Sequence, residues 1–311
     1  MSEREIVCED LNLALNDLRR EGFRLDLIYP ADDPHSAVMS RGGETVRLTT
    51  VPGAERPSGT LPPFAPEFVL TRGGGCGEGR AGMFYRDLIP GRLGGRYIAS
   101  HITIPHGGPV ADWVHFHRVA LQMIYVRKGT VRVVYEDQGE PFVMDPGDLV
   151  LQPPGIRHRV LKSSPGLEVI EISAPALHET FADHDLELPT GRLDSDRLFG
   201  RQRFLRHIAR ETEWTLFEGA ETRDTAMRSA TGGLAEVRTI RRAASPDFDF
   251  PAHGGELVFG FVLEGGARLG FSDQPDIAAA TAFVIPPGQA WGIRDASPNF
   301  ELLLVTTSRL D

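Results

Sequence analysis

Residues 113–129 read WVHFHRVALQMIYVRKG and residues 147–158 read GDLVLQPPGIRH, short apolar runs interrupted by histidines and turn residues. His115 and His117 are two apart, so on a β-strand both imidazoles leave the backbone on one face. Gln122 opens the next apolar run after RVAL, and a hairpin there brings its amide oxygen beside the two rings. In the second stretch Gly147-Asp148 and Pro153-Pro154-Gly155 make turns, and His158 is delivered at the end. Three neutral imidazoles and one amide oxygen, with room for water or substrate, suit an open catalytic site for a first-row divalent metal.

Outward from this pair, glycine and proline punctuate the chain at short intervals, and the segments between are rich in Val, Ile, Phe and Tyr. Strands are expected at Tyr97–Ile104, Gln122–Val126, Val131–Tyr135, Leu149–Gln152, Val169–Ser173, Leu257–Leu263, Ala282–Ile285 and Leu302–Thr306. Helices are expected only at Asn12–Glu21, where Leu11, Leu15 and Leu18 recur before Gly22, and at Arg201–Arg210. The landmarks repeat. From His117 to Gly129 is twelve positions, as from His253 to Gly265; from Pro153 to Leu167 is fourteen, as from Pro286 to Phe300. The chain is therefore read as all-β: an irregular N-terminal arm with one short helix (1–80), a metal-binding barrel (81–185) and a degenerate second barrel (186–311). In the second copy Pro251 stands at the place of His115, Val258 at that of Gln122 and Trp291 at that of His158, so no metal is expected there; Glu256 is two positions out of register.

The spacing His115-x-His117-x4-Gln122-x6-Gly129, followed by Gly147-x5-Pro153-x-Gly155-x2-His158, resembles the two motifs of the cupin superfamily, G-x5-H-x-H-x3,4-E-x6-G and G-x5-P-x-G-x2-H-x3-N. Three departures stand out: Gln122 where the family usually has Glu, Gly108 one position early, and Lys162 in place of the final Asn. The resemblance implies two tandem double-stranded β-helix (jelly-roll) barrels, with His115, His117, Gln122 and His158 as metal ligands. It is closest in kind to three-histidine cupin dioxygenases, among them two-domain gentisate-type enzymes, which implies one divalent metal per chain. Fe(II) is favoured, with Zn, Mn, Ni or Cu as alternatives.

A neutral donor set leaves the dication's charge uncompensated and favours an anionic chelating substrate such as an enolate, phenolate or hydroxy acid. The first expectation is thus an Fe(II)/O2 dioxygenase acting on a phenolic or dicarbonyl compound. The alternatives are a redox-neutral isomerase, lyase or decarboxylase on a sugar or keto acid, and a binding module without turnover. Trp113, Tyr97, His101 and Glu171 are candidates for the pocket wall or for support of the ligands. Arg127 is expected to face solvent. The polar run His178, Glu179, Asp183, His184 reads as a solvated linker, and RGGGCGEG (72–79) as a flexible connection.

The 311 residues carry a net charge of −10 with scattered basic side chains, which speaks against nucleic acid as a partner. No apolar run approaches the roughly 20 residues of a membrane span, and Cys8 and Cys76 form no C-x-x-C or disulfide framework. A cytoplasmic protein, a small-molecule substrate and a homodimer are expected.

Overall fold

Leu121, Met123 and Tyr125 leave one face of the strand Leu121–Lys128 and Gln122 and Ile124 the other, and none of the five is exposed. A strand shielded on both faces must lie between two cores. The computed structural model, which describes residues 3–30, 32–53, 56–57, 59–79 and 82–310, places it so. Its Gln122 face closes the first barrel, and its Leu121 face packs against the second.

The first barrel pairs a sheet running Leu205–His207, Leu149–Leu151, Leu121–Lys128, Leu167–Ala174, Ile98–Ile104 and Phe84–Asp87 with one containing Thr180–Ala182, His115–His117, His158–Ser163 and Val131–Tyr135. The second barrel repeats the plan with Ala220–Asp224, Ala235–Arg242, Glu301–Thr307, Leu257–Glu264 and Ala282–Val284 facing Phe248–Phe250, Trp291–Arg294 and Gly266–Leu269. All eight strands expected from sequence are present, with no end shifted by more than two residues. The largest core cluster belongs to neither barrel alone: Tyr97, Ala99, Met123, Tyr125, Ile170 and Ile172 of the first interlock with Val237, Phe259, Phe261, Leu303 and Val305 of the second.

One polar node crosses this apolar layer. Arg96 meets Glu256 through two parallel bonds, Nε to Oε2 at 3.0 Å and Nη2 to Oε1 at 2.7 Å, both residues buried. The Tyr97 hydroxyl sits 3.0 Å from Glu256 Oε2 and 2.8 Å from Thr307 Oγ1, and burial pushes its pKa upward. Glu256, out of register for a metal, thus joins the barrels. Arg127, expected in solvent, is half-buried on the same side: it pairs with Glu168 and lies over Phe261, ring centre 5.8 Å away.

The stretch 59–68 carries no helix or strand, but up to Thr49 the N-terminal arm is regular. Its helix spans Leu11–Arg20, capped by Asp10, whose side chain accepts from the Leu13 amide at 3.0 Å, with Arg19 and Arg20 in the last turn. Leu11, Leu15 and Leu18 cover a sheet of Glu3–Val7, Arg24–Tyr29, Ser36–Arg41 and Glu44–Thr49. Arg24–Tyr29 pairs with Thr180–Ala182 and so extends the first barrel's sheet. These strands escape the sequence reading because few long apolar runs mark them; they pair mainly with one another, and of the four only Arg24–Tyr29 reaches out of the arm, to Thr180–Ala182.

The helix expected at Arg201–Arg210 is instead strand and turn, with Leu205–His207 paired to Leu149–Leu151 and a 3-10 turn at Ala209–Glu211. Phe204 faces the first barrel's interior and Leu205 the inter-barrel core, a period of two rather than 3.6. Pairing with an open sheet edge overrides the local helical preference. In exchange, Val69–Thr71 from the arm pairs with Ala282–Val284 of the second barrel. No helix among the described residues is long and apolar enough to cross a membrane.

Replacing Glu256 by Ala strands the buried Arg96 guanidinium, and we expect the unfolding free energy to fall by about 3 kcal/mol or more, against about 1 kcal/mol for Tyr97→Phe. Denaturant titration of the three proteins decides it: a loss below about 1 kcal/mol for Glu256→Ala would mean that apolar packing alone joins the barrels.

Candidate functional site

The three histidines converge because two ladders cross at one point. His115 pairs directly with His158 across adjacent strands, and His117 pairs with Thr180 on the other side. The Pro-Pro-Gly turn makes this register possible: Gly155 has φ +77°, a left-handed conformation that glycine adopts without strain, and its amide donates to the His117 carbonyl at 3.3 Å. The chain then re-enters the sheet at His158. The ring centres of His115 and His158 are 4.2 Å apart, with His117 at 5.1 and 5.3 Å from them. One nitrogen from each ring lies within 4.8 Å of those of the other two, and all three residues are buried.

Each imidazole is fixed through Nδ1. His115 Nδ1 is 2.8 Å from the Trp113 carbonyl and 3.4 Å from Asp112 Oδ1; His158 Nδ1 is 3.1 Å from the Ile156 carbonyl; His117 Nδ1 is 3.0 Å from Thr180 Oγ1. A carbonyl acceptor places the proton on Nδ1, so Nε2 carries the lone pair in His115 and His158, and the Thr180 hydroxyl can impose the same tautomer on His117. Asp112 is itself held by the Val160 amide, which donates to Oδ2 at 2.8 Å.

Gln122 lines the same cavity, 2 % exposed. Its Nε2 donates to Glu171 Oε1 at 2.7 Å, which leaves Oε1 as the ligand atom the side chain can offer. Ser173 also donates to Glu171 Oε1, at 3.1 Å. The cavity measures about 90 Å³ and is walled mainly by apolar side chains, among them Ile102, Ile104, Val133, Val160 and Val169. Among the described residues no Lys or Arg lines it. Tyr135 stacks on His158 with ring centres 5.5 Å apart, its hydroxyl accepts from Gln152 Nε2 at 3.0 Å, and burial raises its pKa.

Of the supporting residues expected from sequence, Glu171 lies in the cavity and three do not. Tyr97 and His101 do share a face, but it is the face turned to the second barrel: His101 Nε2 meets Glu168 at 2.9 Å and its ring lies edge-on to Phe261. Alternation places residues on a common face without saying which of two buried faces that is. The Trp113 ring packs into the N-terminal core, and the residue serves the site through its carbonyl on His115. Conversely, the run around residue 180 is no solvated linker. Thr180–Ala182 is a strand beside His115–His117, Glu179 is buried, and His178 is buried edge-on to His117 at 5.4 Å, its pKa lowered by burial. Phe181-Ala182, an apolar pair within a polar run, is the available signal for this strand.

The second barrel differs at the corresponding positions. Phe250, rather than Pro251, faces Trp291 across the ladder, the pair standing where His115 faces His158. Val258 and Thr306 pair as Gln122 and Ser173 do, which sets Leu304 in the place of Glu171.

Residues 100–172 match the family model of the cupin domain. No curated protein sequence matches the chain. Among solved structures, oxalate decarboxylase from Bacillus subtilis is similar at 11 % identity, with a TM-score of 0.52 over 85 % of this chain and 80 % of that one. Protein Ylba from E. coli is similar at 12 % identity, with a TM-score of 0.52 over 78 % and 91 %. At such identities the likeness speaks to fold, and it agrees with the repeat and the topology: the first barrel contains a segment that matches the cupin domain, and the chain folds as two tandem barrels of that kind.

Proposed function

We propose that the first barrel is the active site of a metal-dependent oxygenase acting on a small chelating enol, β-dicarbonyl or phenol. The observation that carries this reading is the set of three imidazoles, each oriented through Nδ1, in an apolar cavity of about 90 Å³ with one carboxylate and no cationic side chain on its wall. His115, His117 and His158 would hold one divalent ion, with Gln122 Oε1 as a fourth donor; such a neutral nitrogen and oxygen set fits a first-row dication. The metal would supply Lewis acidity and, as Fe(II), the electron needed for O2 to react with an electron-rich substrate.

The remaining chemistry falls to the chain. Glu171, held by Gln122 and Ser173, is placed to take the proton from a weakly acidic C–H or O–H as the substrate becomes an anion. The Ile and Val walls exclude water from that anion, and the cavity admits only a small molecule. With no Lys or Arg to bind a second negative charge, a monoanion suits the site better than a dicarboxylate.

A redox-neutral lyase or decarboxylase is the second reading. Glu171 favours it, because a carboxyl group there can return a proton to a carbanion, and the structurally similar Bacillus subtilis oxalate decarboxylase has Mn(II) centers.

Elemental analysis of purified protein should find about one divalent metal ion per chain, lost in His158→Ala. With iron loaded, dicarbonyl and phenolic substrates should consume one O2 per turnover; equal turnover under argon, with CO2 release, would establish the lyase instead. Thr180→Val removes the hydroxyl that orients His117 and should weaken metal binding by about 10- to 100-fold in a chelator competition. Unchanged affinity would show that the sheet alone fixes the ring.

A further inference from the structure

The mouth of the second barrel opens on the larger space, a cavity of about 280 Å³ against about 90 Å³ in the first. Packed interiors leave few voids larger than a water molecule, and this volume approaches the roughly 300 Å³ at which ligand pockets begin. Its shelf is aromatic. Phe250 and Trp291, both buried, stack with ring centres 4.2 Å apart and planes at 19°, on the two ladder positions that hold His115 and His158 in the first barrel. With Val258 and Leu304 beside them, a donor set has been exchanged for a flat apolar surface.

Two polar features remain unanswered there. His253 donates from Nε2 to the Ile285 carbonyl at 3.2 Å, so Nδ1 carries the lone pair; that atom is shielded from solvent and has no hydrogen-bond partner. A buried acceptor without a donor costs free energy, and a ligand O–H or N–H would satisfy it. At the rim, Arg238 is matched by Glu236 at 2.6 Å, whereas Arg228 has no carboxylate within 4.0 Å among the described residues. The cavity therefore carries one uncompensated positive charge.

We propose that the second barrel binds, without metal, a small aromatic monocarboxylate bearing one hydrogen-bond donor. The ring lies on the Phe250–Trp291 shelf, the carboxylate is drawn to Arg228, and the donor reaches His253 Nδ1. Nothing in this site depends on the chemistry assigned to the first barrel.

The test is calorimetric titration of the full chain with 4-aminobenzoate, with benzoate lacking the donor and with 4-aminobenzyl alcohol lacking the charge. 4-Aminobenzoate should bind at least about fivefold more tightly than either. Arg228→Gln, a change at an exposed position, should weaken it about tenfold. In His253→Ala the advantage over benzoate should vanish, the pairing expected of a direct contact. His158→Ala should leave all three affinities unchanged. Absence of saturable binding up to about 10 mM, or binding abolished by His158→Ala and indifferent to Arg228→Gln, would overturn the proposal.

Discussion

The face-to-face packing of two sheets, one from each barrel, is the constraint from which the rest follows. It buries both faces of Leu121–Lys128, Leu167–Ala174, Leu257–Glu264 and Glu301–Thr307, so each of these strands serves a barrel interior on one side and the shared core on the other. Apolar burial at roughly 25 cal/mol per Å² makes that layer the main source of cohesion between the barrels. The Arg96–Glu256–Tyr97 node adds a fixed register to an otherwise non-directional contact. The first barrel can then keep an interior partly polar and partly empty, because its outer wall is braced by its neighbour.

Orientation of the imidazoles depends on that bracing at one remove. The Nδ1 partners are two backbone carbonyls and a threonine hydroxyl on sheet or turn structure, with the Asp112 carboxylate as a second neighbour of His115. Rings held this way are set by the fold and need little help from mobile side chains. Gln122 and Glu171 form a side-chain pair inside, on the two strands that also carry the inter-barrel contact.

Periodicity and spacing made much of this legible in the sequence. The repeat identified two related barrels, and the motif spacing brought His115, His117, His158 and Gln122 to one cavity. Glu171 was found by its place on the closing strand. Misplacements arose where two buried faces compete. Tyr97 and His101, candidates for the pocket wall, share one buried face that lines the shared core instead, since alternation carries no sign. Thr180 and Asp112 were missed because their role is to hold other residues, and nothing in their immediate neighbours marks it. The helix expected at Arg201–Arg210 gives way to a strand because its partner, Leu149–Leu151, lies far back in the chain, whereas the strands of the arm pair mostly with one another and go unread because their apolar runs are short. The second barrel's cavity was invisible too, since FDFPAHGGELVFGFV reads as packed interior and volume is not encoded in composition.

The exchanged edge strands carry a consequence for how the chain assembles. Val69–Thr71 is synthesised early, yet its partner Ala282–Val284 follows more than 200 residues later, while Leu149–Leu151 awaits Leu205–His207. The second barrel cannot complete its sheet without a strand that precedes the first barrel, so its closure has a high contact order and should come late and slowly. Until then each nascent barrel presents an unsatisfied edge, a liability for mispairing between ribosome-bound neighbours. The same interlacing ties the two halves into one inheritable unit: a recombination event between them would remove a strand from the barrel it left behind.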